Sequence, residues 1–350
     1  MRGCSLFSSA GIAETFLVDL GINIIAANEI IERRAMLYRT LNQDTSVIVG
    51  DILNKRIFNQ LINSVNGQVN ILIATPPCQG ISIAGKNRKQ SEFVKDERNY
   101  LIFKVIKFIN KKKPDYVLIE NFPLFLKLGL PRARKLYQIK DLLVNEFKGK
   151  YNVEAEVIDS AKYGIPQTRN RAVIKLFKKG LKWGWPTESE IVTARKAIGH
   201  LPSLESGEKS KIPWHYARKH IDRHVLWMKN TPTGKTAYEN KKYYPQKEDG
   251  TRVKGFESSY RRIRWDAPAP SITIRNDAIS SQRNVHPGRK LKDGTYSDAR
   301  VLTPHELMLL TSLPANWNIP ADTPEVIVRQ CIGESIPPLL VKKIVGCIGC

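Results

Sequence analysis

The stretch that most constrains this chain is Val69-Asn70-Ile71-Leu72-Ile73-Ala74, closed by Thr75-Pro76-Pro77 and followed by Cys78-Gln79-Gly80. A short, apolar, β-branched run ended by prolines reads as a buried strand. The two prolines remove backbone donors and force an extended exit, which predicts Cys78 just past the strand's carboxyl end. Ligands collect there in an open α/β sheet. The Gly- and Lys-containing segment from Gly80 to Lys95 is suited to close over it, so Cys78 is placed like a nucleophile under a lid. The plainer alternative is a buried free thiol.

Further strands are expected around it. Gly3-Cys4-Ser5-Leu6-Phe7 is a short apolar run, and Ser8-Ser9-Ala10-Gly11 turns it into a predicted helix from Ile12 to Leu20, with Glu14 in the first turn. Strand, small-residue turn and helix together make a cradle used for nucleotide-like ligands. Ile24 to Glu29 and Val47 to Ile52 read as the next two strands, each reaching an acid near its carboxyl end. Glu29 suits a ribose and Asp51 an adenine amino group; either could equally be a solvated strand end. Asn99 to Asn110 has helical apolar spacing and runs into Lys111-Lys112-Lys113 and the stop at Pro114. Tyr116 to Asn121 is a fifth strand, which sets Glu120 beside Cys78 across one crevice. Val153 to Ile158 and Arg171 to Phe177 supply two more. Arg169 and Arg171 alternate at the entrance to the last, so both can share a face, although a salt-bridged surface is the common fate of such arginines. Near the end, Thr303-Pro304-His305-Glu306 reads as an N-cap, a proline at N1 and an acid at N3.

Bulk composition narrows the class. With 350 residues, 42% hydrophobic, the chain can bury a proper core. No apolar stretch reaches membrane-spanning length, and the N-terminus reads as strand rather than signal peptide. Five cysteines are sparse and odd in number, which predicts a reducing, cytoplasmic setting. Cys347 and Cys350 form a lone C-x-x-C, taken as plain thiols rather than a metal site. The net charge of +23 makes a polyanion the first partner to consider. Residues 183–300 hold 23 Lys and Arg against 13 Asp and Glu, with aromatics interleaved at Trp214-His215-Tyr216, Lys241-Lys242-Tyr243-Tyr244 and Arg261-Arg262-Ile263-Arg264-Trp265. Such interleaving serves base stacking and phosphate contact, or else a small irregular core. The composition shift places a boundary near Lys182.

In order along the chain, Leu6 to Gly11, Asn28-Glu29, Gly50-Asp51-Ile52, Pro76-Pro77-Cys78-Gln79, Glu120-Asn121, Gln167 to Arg171, Arg300 to Glu306 and Gly333-Glu334-Ser335 resemble the motifs of the cytosine-5 DNA methyltransferases of bacterial restriction–modification systems. The resemblance covers nearly the whole chain. It implies an α/β, S-adenosylmethionine-dependent methyltransferase fold: a seven-stranded, mostly parallel, Rossmann-like sheet with a smaller, irregular target-recognition domain. The implied division is 1–182 catalytic and cofactor-binding, 183–299 target-recognition, and 300–350 returning to the catalytic domain.

The reaction so implied moves a methyl group from S-adenosylmethionine to C5 of a flipped-out cytosine, leaving S-adenosylhomocysteine, without a metal. Cys78 is the expected nucleophile at C6, Glu120 serves N3, Arg171 serves O2 and Arg169 supports them. Phe7, Gly11, Glu29, Asp51, Ile52, Pro76, Leu101 and Ser335 are the expected cofactor contacts. Gln79, Ser82, Lys86, Arg261, Arg262 and Arg264 are the expected DNA contacts. The partners implied are double-stranded DNA and a cognate restriction endonuclease, with the protein a monomer used at the bacterial nucleoid. A transfer-RNA cytosine methyltransferase and a catalytically weak DNA-binding relative are the alternatives. Three positions depart from the family pattern: Ser9 and Ile12 stand where glycines are usual, and Glu334 stands where Asn is common. A left-handed backbone at Ser9 would carry strain.

Overall fold

The computed structural model describes residues 1–77, 100–132, 135–253 and 255–350. Cys78, Gln79, Ser82 and Lys86 lie outside the described residues.

The chain divides into two compact units. The first comprises Met1–Asp159, Asn170–Thr187 and Pro338–Cys350. Its strands are β1 (Arg2–Leu6), β2 (Asn23–Glu29), β3 (Ser46–Val49), β4 (Ile71–Ala74), β5 (Tyr116–Asn121), β6 (Gly129–Arg132), β7 (Lys135–Gln138), β8 (Tyr151–Asp159) and β9 (Asn170–Lys178). Seven of them form one sheet in the order β3-β2-β1-β4-β5-β9-β8, and β6 and β7 make a separate hairpin. The neighbours from β3 to β5 pair in parallel, while β9 runs antiparallel to both β5 and β8. Every residue of β4 and β5 is buried, as their continuous apolar character requires.

Helices α1 (Glu32–Leu41), α2 (Lys55–Ser64), α3 (Ile102–Lys112) and α4 (Ile139–Glu146) follow strands in the alternation of an α/β chain. Leu101, Ile102, Val105, Ile106, Phe108 and Ile109 give α3 its buried stripe. It ends at Lys113, which takes a left-handed conformation before Pro114.

The predicted helix from Ile12 to Leu20 is not continuous. Two 3-10 turns replace it, Ile12–Glu14 and Val18–Leu20, carried by bonds from Glu14 N to Gly11 O, Leu17 N to Glu14 O and Gly21 N to Val18 O. Left-handed Gly11 and Gly21 close the segment at both ends, and Glu14 turns inward to Ser5 instead of facing solvent. The cradle after β1 therefore lacks the full helix its sequence suggested. Residues Pro338–Val345 form the C-terminal helix of this unit and pack against the Ile12–Glu14 turn.

The second unit, Ser160–Arg169 and Glu188–Pro337, is largely irregular. It holds α5 (Ala194–Ile198), α6 (Asp222–Lys229), α7 (Pro304–Leu310) and α8 (Glu325–Glu334). Composition placed a boundary near Lys182 and the resemblance implied a target-recognition domain of 183–299; by contacts the second unit runs on from Glu188 to Pro337. The capping box is present: Thr303 accepts from the Glu306 amide, Glu306 accepts from the Thr303 amide, and Pro304 is at N1. A small core of Trp227, Met228, Ala237, Ile279, Val285, Ala299 and Val301 is supplemented by buried ions. Arg300 pairs with Asp298 at 2.9 Å and with Glu306 at 2.8 Å, all three fully buried.

Candidate active site

The strand order reverses at β1, which has β2 on one side and β4 on the other. Leu6 is in register with Ala74, so the chain leaves both carboxyl ends at one switch point. There Thr75 donates its amide to Leu6 O at 3.2 Å and its hydroxyl to Phe7 O at 3.0 Å. These bonds and buried Pro76 fix the backbone that leads towards Cys78.

The next strand adds a second anchor. Asn121, buried at the end of β5, donates Nδ2 to Pro76 O at 2.9 Å and accepts from the Phe122 amide at 2.8 Å. In the sequence Asn121 stands only as part of the Glu120-Asn121 motif; its positioning role depends on a contact 45 residues away in sequence.

Glu120 and Arg171 are brought together by the one reversed strand. Because β9 runs antiparallel to β5, its first residues lie at the end where β5 finishes. Arg171 Nε stands 2.6 Å from Glu120 Oε1, with both side chains buried. Arg171 Nη1 donates to Asn170 O, and its guanidinium lies 4.5 Å from the centre of the Phe122 ring. Burial lowers the arginine's pKa and the Glu120 charge opposes that shift. A guanidinium stays cationic under such conditions, so the pair presents a fixed, planar donor beside a carboxylate.

Arg169 does something else. It belongs to the second unit, where Nη1 donates to Ile272 O at 2.6 Å and Nη2 to Gly333 O at 3.0 Å. Arg169 precedes β9, and its guanidinium serves these backbone carbonyls. Ser335 also lies in the second unit, capping α8 with its hydroxyl on Ile332 O.

The other expected cofactor contacts are in the first unit. Phe7, Ser9 and Gly11 all have positive φ, at 61°, 49° and 77°. Ser9 therefore carries the strain that a non-glycine residue meets in the left-handed region. Ile12 sits in a right-handed turn and needs no glycine. At Gly11 a Cβ would come within 2.9 Å of both Tyr38 and Asn42, so this glycine is required by packing against α1 as well as by φ. Buried Glu29 accepts from the Ser9 amide through Oε2 and from the Ile31 amide through Oε1, each at 2.8 Å. A carboxylate has roughly four acceptor sites, so capacity is left for two hydroxyls. Asp51 is exposed just beyond β3, with Oδ1 held by the Leu53 amide, and Ile52 beside it is buried. Leu101 is buried at the start of α3.

Of the expected DNA contacts, Arg262 is overturned. It is fully buried, donating to Met228 O, His286 O and Asp298 O, so its guanidinium holds the irregular unit together. Arg261 lies against Glu239 and donates to Glu257 O and Gly234 O, while exposed Arg264 forms a two-bonded pair with Asp266.

A sheet in this order, with one reversed strand and acids at adjacent tips, defines an S-adenosylmethionine-dependent methyltransferase fold. The chain belongs to the C-5 cytosine-specific DNA methylase family, whose profile matches residues 1–350. It is 57% identical to the Type II methyltransferase M1.HgaI of Avibacterium volantium, over 98% of this chain and 97% of that one. The Type II methyltransferase M1.HphI of Haemophilus parahaemolyticus is 28% identical over 97% of this chain and 84% of its own. Among solved structures, DNMT2 of Spodoptera frugiperda superposes with a TM-score of 0.59 at 16% identity, over 99% of this chain and 98% of that one, a likeness of fold. The enzyme is thus a DNA (cytosine-5-)-methyltransferase. No helix of the described residues is long and apolar enough to cross a membrane.

Proposed function

We propose that this enzyme methylates C5 of a cytosine flipped out of a specific duplex DNA sequence, through a temporary bond from Cys78 to C6. On this reading it protects host DNA in a restriction–modification system that includes a cognate endonuclease. The observation that carries the reading is the buried Glu120–Arg171 pair at the end of β5, beside the Asn121-anchored backbone that leads to Cys78.

Cytosine C5 is too weak a nucleophile to be alkylated directly, and its position within a stacked duplex is out of reach. Addition of the Cys78 thiolate to C6 pushes an electron pair into the ring and leaves C5 enamine-like. The charge that develops towards N3 and O2 needs fixed partners. Glu120, sharing a proton with N3, and the Arg171 guanidinium at O2 are suited to meet it. Loss of the C5 proton and expulsion of Cys78 then restore aromaticity.

The residues at the tips of β1, β2 and β3 fit S-adenosylmethionine. Glu29 has spare acceptor capacity for ribose hydroxyls, exposed Asp51 can accept from an exocyclic amine, and Phe7 and Ile52 provide apolar contact. Bound there, that cofactor supplies an electrophilic methyl group. We assign DNA recognition to the second unit.

The test is transfer of labelled methyl groups to bacterial DNA and, separately, to transfer RNA, followed by mass spectrometry of the nucleosides. The expected product is 5-methylcytosine in DNA, absent for Cys78→Ala. Labelling of transfer RNA alone, or wild-type rates from Cys78→Ala, would overturn the reading. Bisulfite sequencing of DNA from an expressing host would identify the target.

A further inference from the structure

The second unit contains a cavity of about 660 Å³ that the residues assigned above do not use. Its walls carry Arg223, Lys241, Lys242 and Lys247 against one acid, Glu248. None of these four cations forms an ion pair with a described residue. That distinguishes them from Arg262, which is buried, and from Arg264, which is neutralised by Asp266.

The cavity is also firmly mounted. Buried Asn240 donates Nδ2 to Tyr243 O at 3.0 Å, Trp227 O at 3.1 Å and Thr231 Oγ1 at 3.0 Å. Arg252 stacks 3.6 Å from the Tyr244 ring centre while donating to Tyr238 O and Asn240 O. Tyr243 is held at a φ of 57°, is 38% exposed as a residue, and has the Lys242 ammonium 4.8 Å from its ring centre. A left-handed tyrosine kept out in solvent is strained, and a strained, rigidly supported aromatic among unpaired cations is arranged for a ligand.

We propose that Arg223, Lys241, Lys242 and Lys247 grip consecutive phosphates of the DNA substrate, with Tyr243 packed against the intervening sugar. The proposal rests on the DNA-methylating reading and deepens it by locating a backbone anchor. Charge complementarity selects the occupant: a polyanion with regularly spaced charges matches four unpaired cations around one opening, and phosphate contacts position a duplex without reading its sequence.

The experiment is fluorescence anisotropy of the full chain with a labelled random-sequence duplex at several salt concentrations. Lys241→Gln/Lys242→Gln and Tyr243→Ala are compared with wild type and with Arg264→Gln, and each variant's thermal midpoint is checked. Losing two phosphate contacts reduces the slope of log K against log salt by about 2, and affinity falls about tenfold or more at moderate salt. Tyr243→Ala lowers affinity with little change in slope. Arg264→Gln, already neutralised, has the smaller effect. Unchanged affinity and slope in the double variant, with wild-type melting, would overturn the anchor, as would transfer RNA competing better than duplex DNA. Methyl transfer by wild type is measured in parallel. Transfer to DNA with an unmoved slope rejects the anchor alone, whereas absent transfer with a reduced slope rejects the catalytic reading alone.

Discussion

Glu120 and Arg171 form a buried ion pair at 2.6 Å. Removing one member of a buried pair leaves the other charged and uncompensated, which costs roughly 3–5 kcal/mol. Glu120→Gln keeps the shape but removes the charge, and is expected to lower methyl transfer by about a hundredfold or more while also reducing stability. A double-mutant cycle with Arg171→Met should yield a coupling of about 2 kcal/mol or more; additive single effects would show that the two act separately. Glu14 poses a different problem. It is completely buried beneath the β1 cradle, bonded to the Ser5 hydroxyl, and burial pushes its carboxyl up from 4.5 to about 7. Below 4.5 both folded and unfolded chains hold the proton, so the group is neutral to stability. As pH rises between these values only the folded chain retains it, and stability falls by about 3 kcal/mol once both have ionised. Glu14→Gln should therefore leave the urea midpoint unchanged near pH 4 and raise it near pH 8; a midpoint lowered at both would reject this account. The sequence showed Glu14 as an ordinary first-turn acid, because inward rotation is decided by what lies beneath, and that is Ser5 from another element.

At the scale of elements, what was legible depended on how local the cause was. β5 appears at the predicted residues and β4 lies within its predicted run, because continuous apolar character identifies a strand buried on both faces. The Thr303–Glu306 capping box was legible for the same reason: both partners lie within four residues. The Arg261-Arg262-Ile263-Arg264 run was not. Three neighbouring arginines face a carboxylate, the interior and another carboxylate in turn, and only tertiary placement distinguishes them. Helix α7 gives a test that separates local from non-local support. Thr303→Ala removes a cap and should cost about 1 kcal/mol. Arg300→Met takes from buried Glu306 its arginine and leaves Asp298 only Arg289, and should cost about 3–5 kcal/mol. Equal losses in chemical denaturation would mean the ion network contributes no more than the cap.

Across the whole molecule, Glu14 in the first unit and His220 and His286 in the second are all held in their neutral forms. Because one is an acid and the others are bases, acidification should act on these two places in opposite senses. In the second unit, burial lowers His286 from 6.5 to about 3 and His220 to about 4, and neighbouring arginines reinforce both shifts. His286 accepts from the Gly288 amide and His220 from the Val301 amide, bonds that require neutral rings. Above 6.5 both are neutral whether folded or not, and their contribution is fully present. As pH falls below 6.5 the unfolded chain takes up protons that the folded one refuses, and each histidine removes stability down to its folded value. Glu306, held down to about 2 by Arg300, adds a further loss only below 4.5. In the first unit Glu14 works the other way, gaining stability over the same interval between about pH 7 and pH 5. Hydrogen exchange at about pH 8 and about pH 5, corrected for intrinsic rates, should show protection falling across residues 284–306 and rising across residues 3–14. Parallel changes in both segments would mean that these buried groups do not govern the pH response. His286→Gln should abolish part of the fall without altering the rise, and Glu14→Gln the reverse, which ties each arm to the side chain said to cause it.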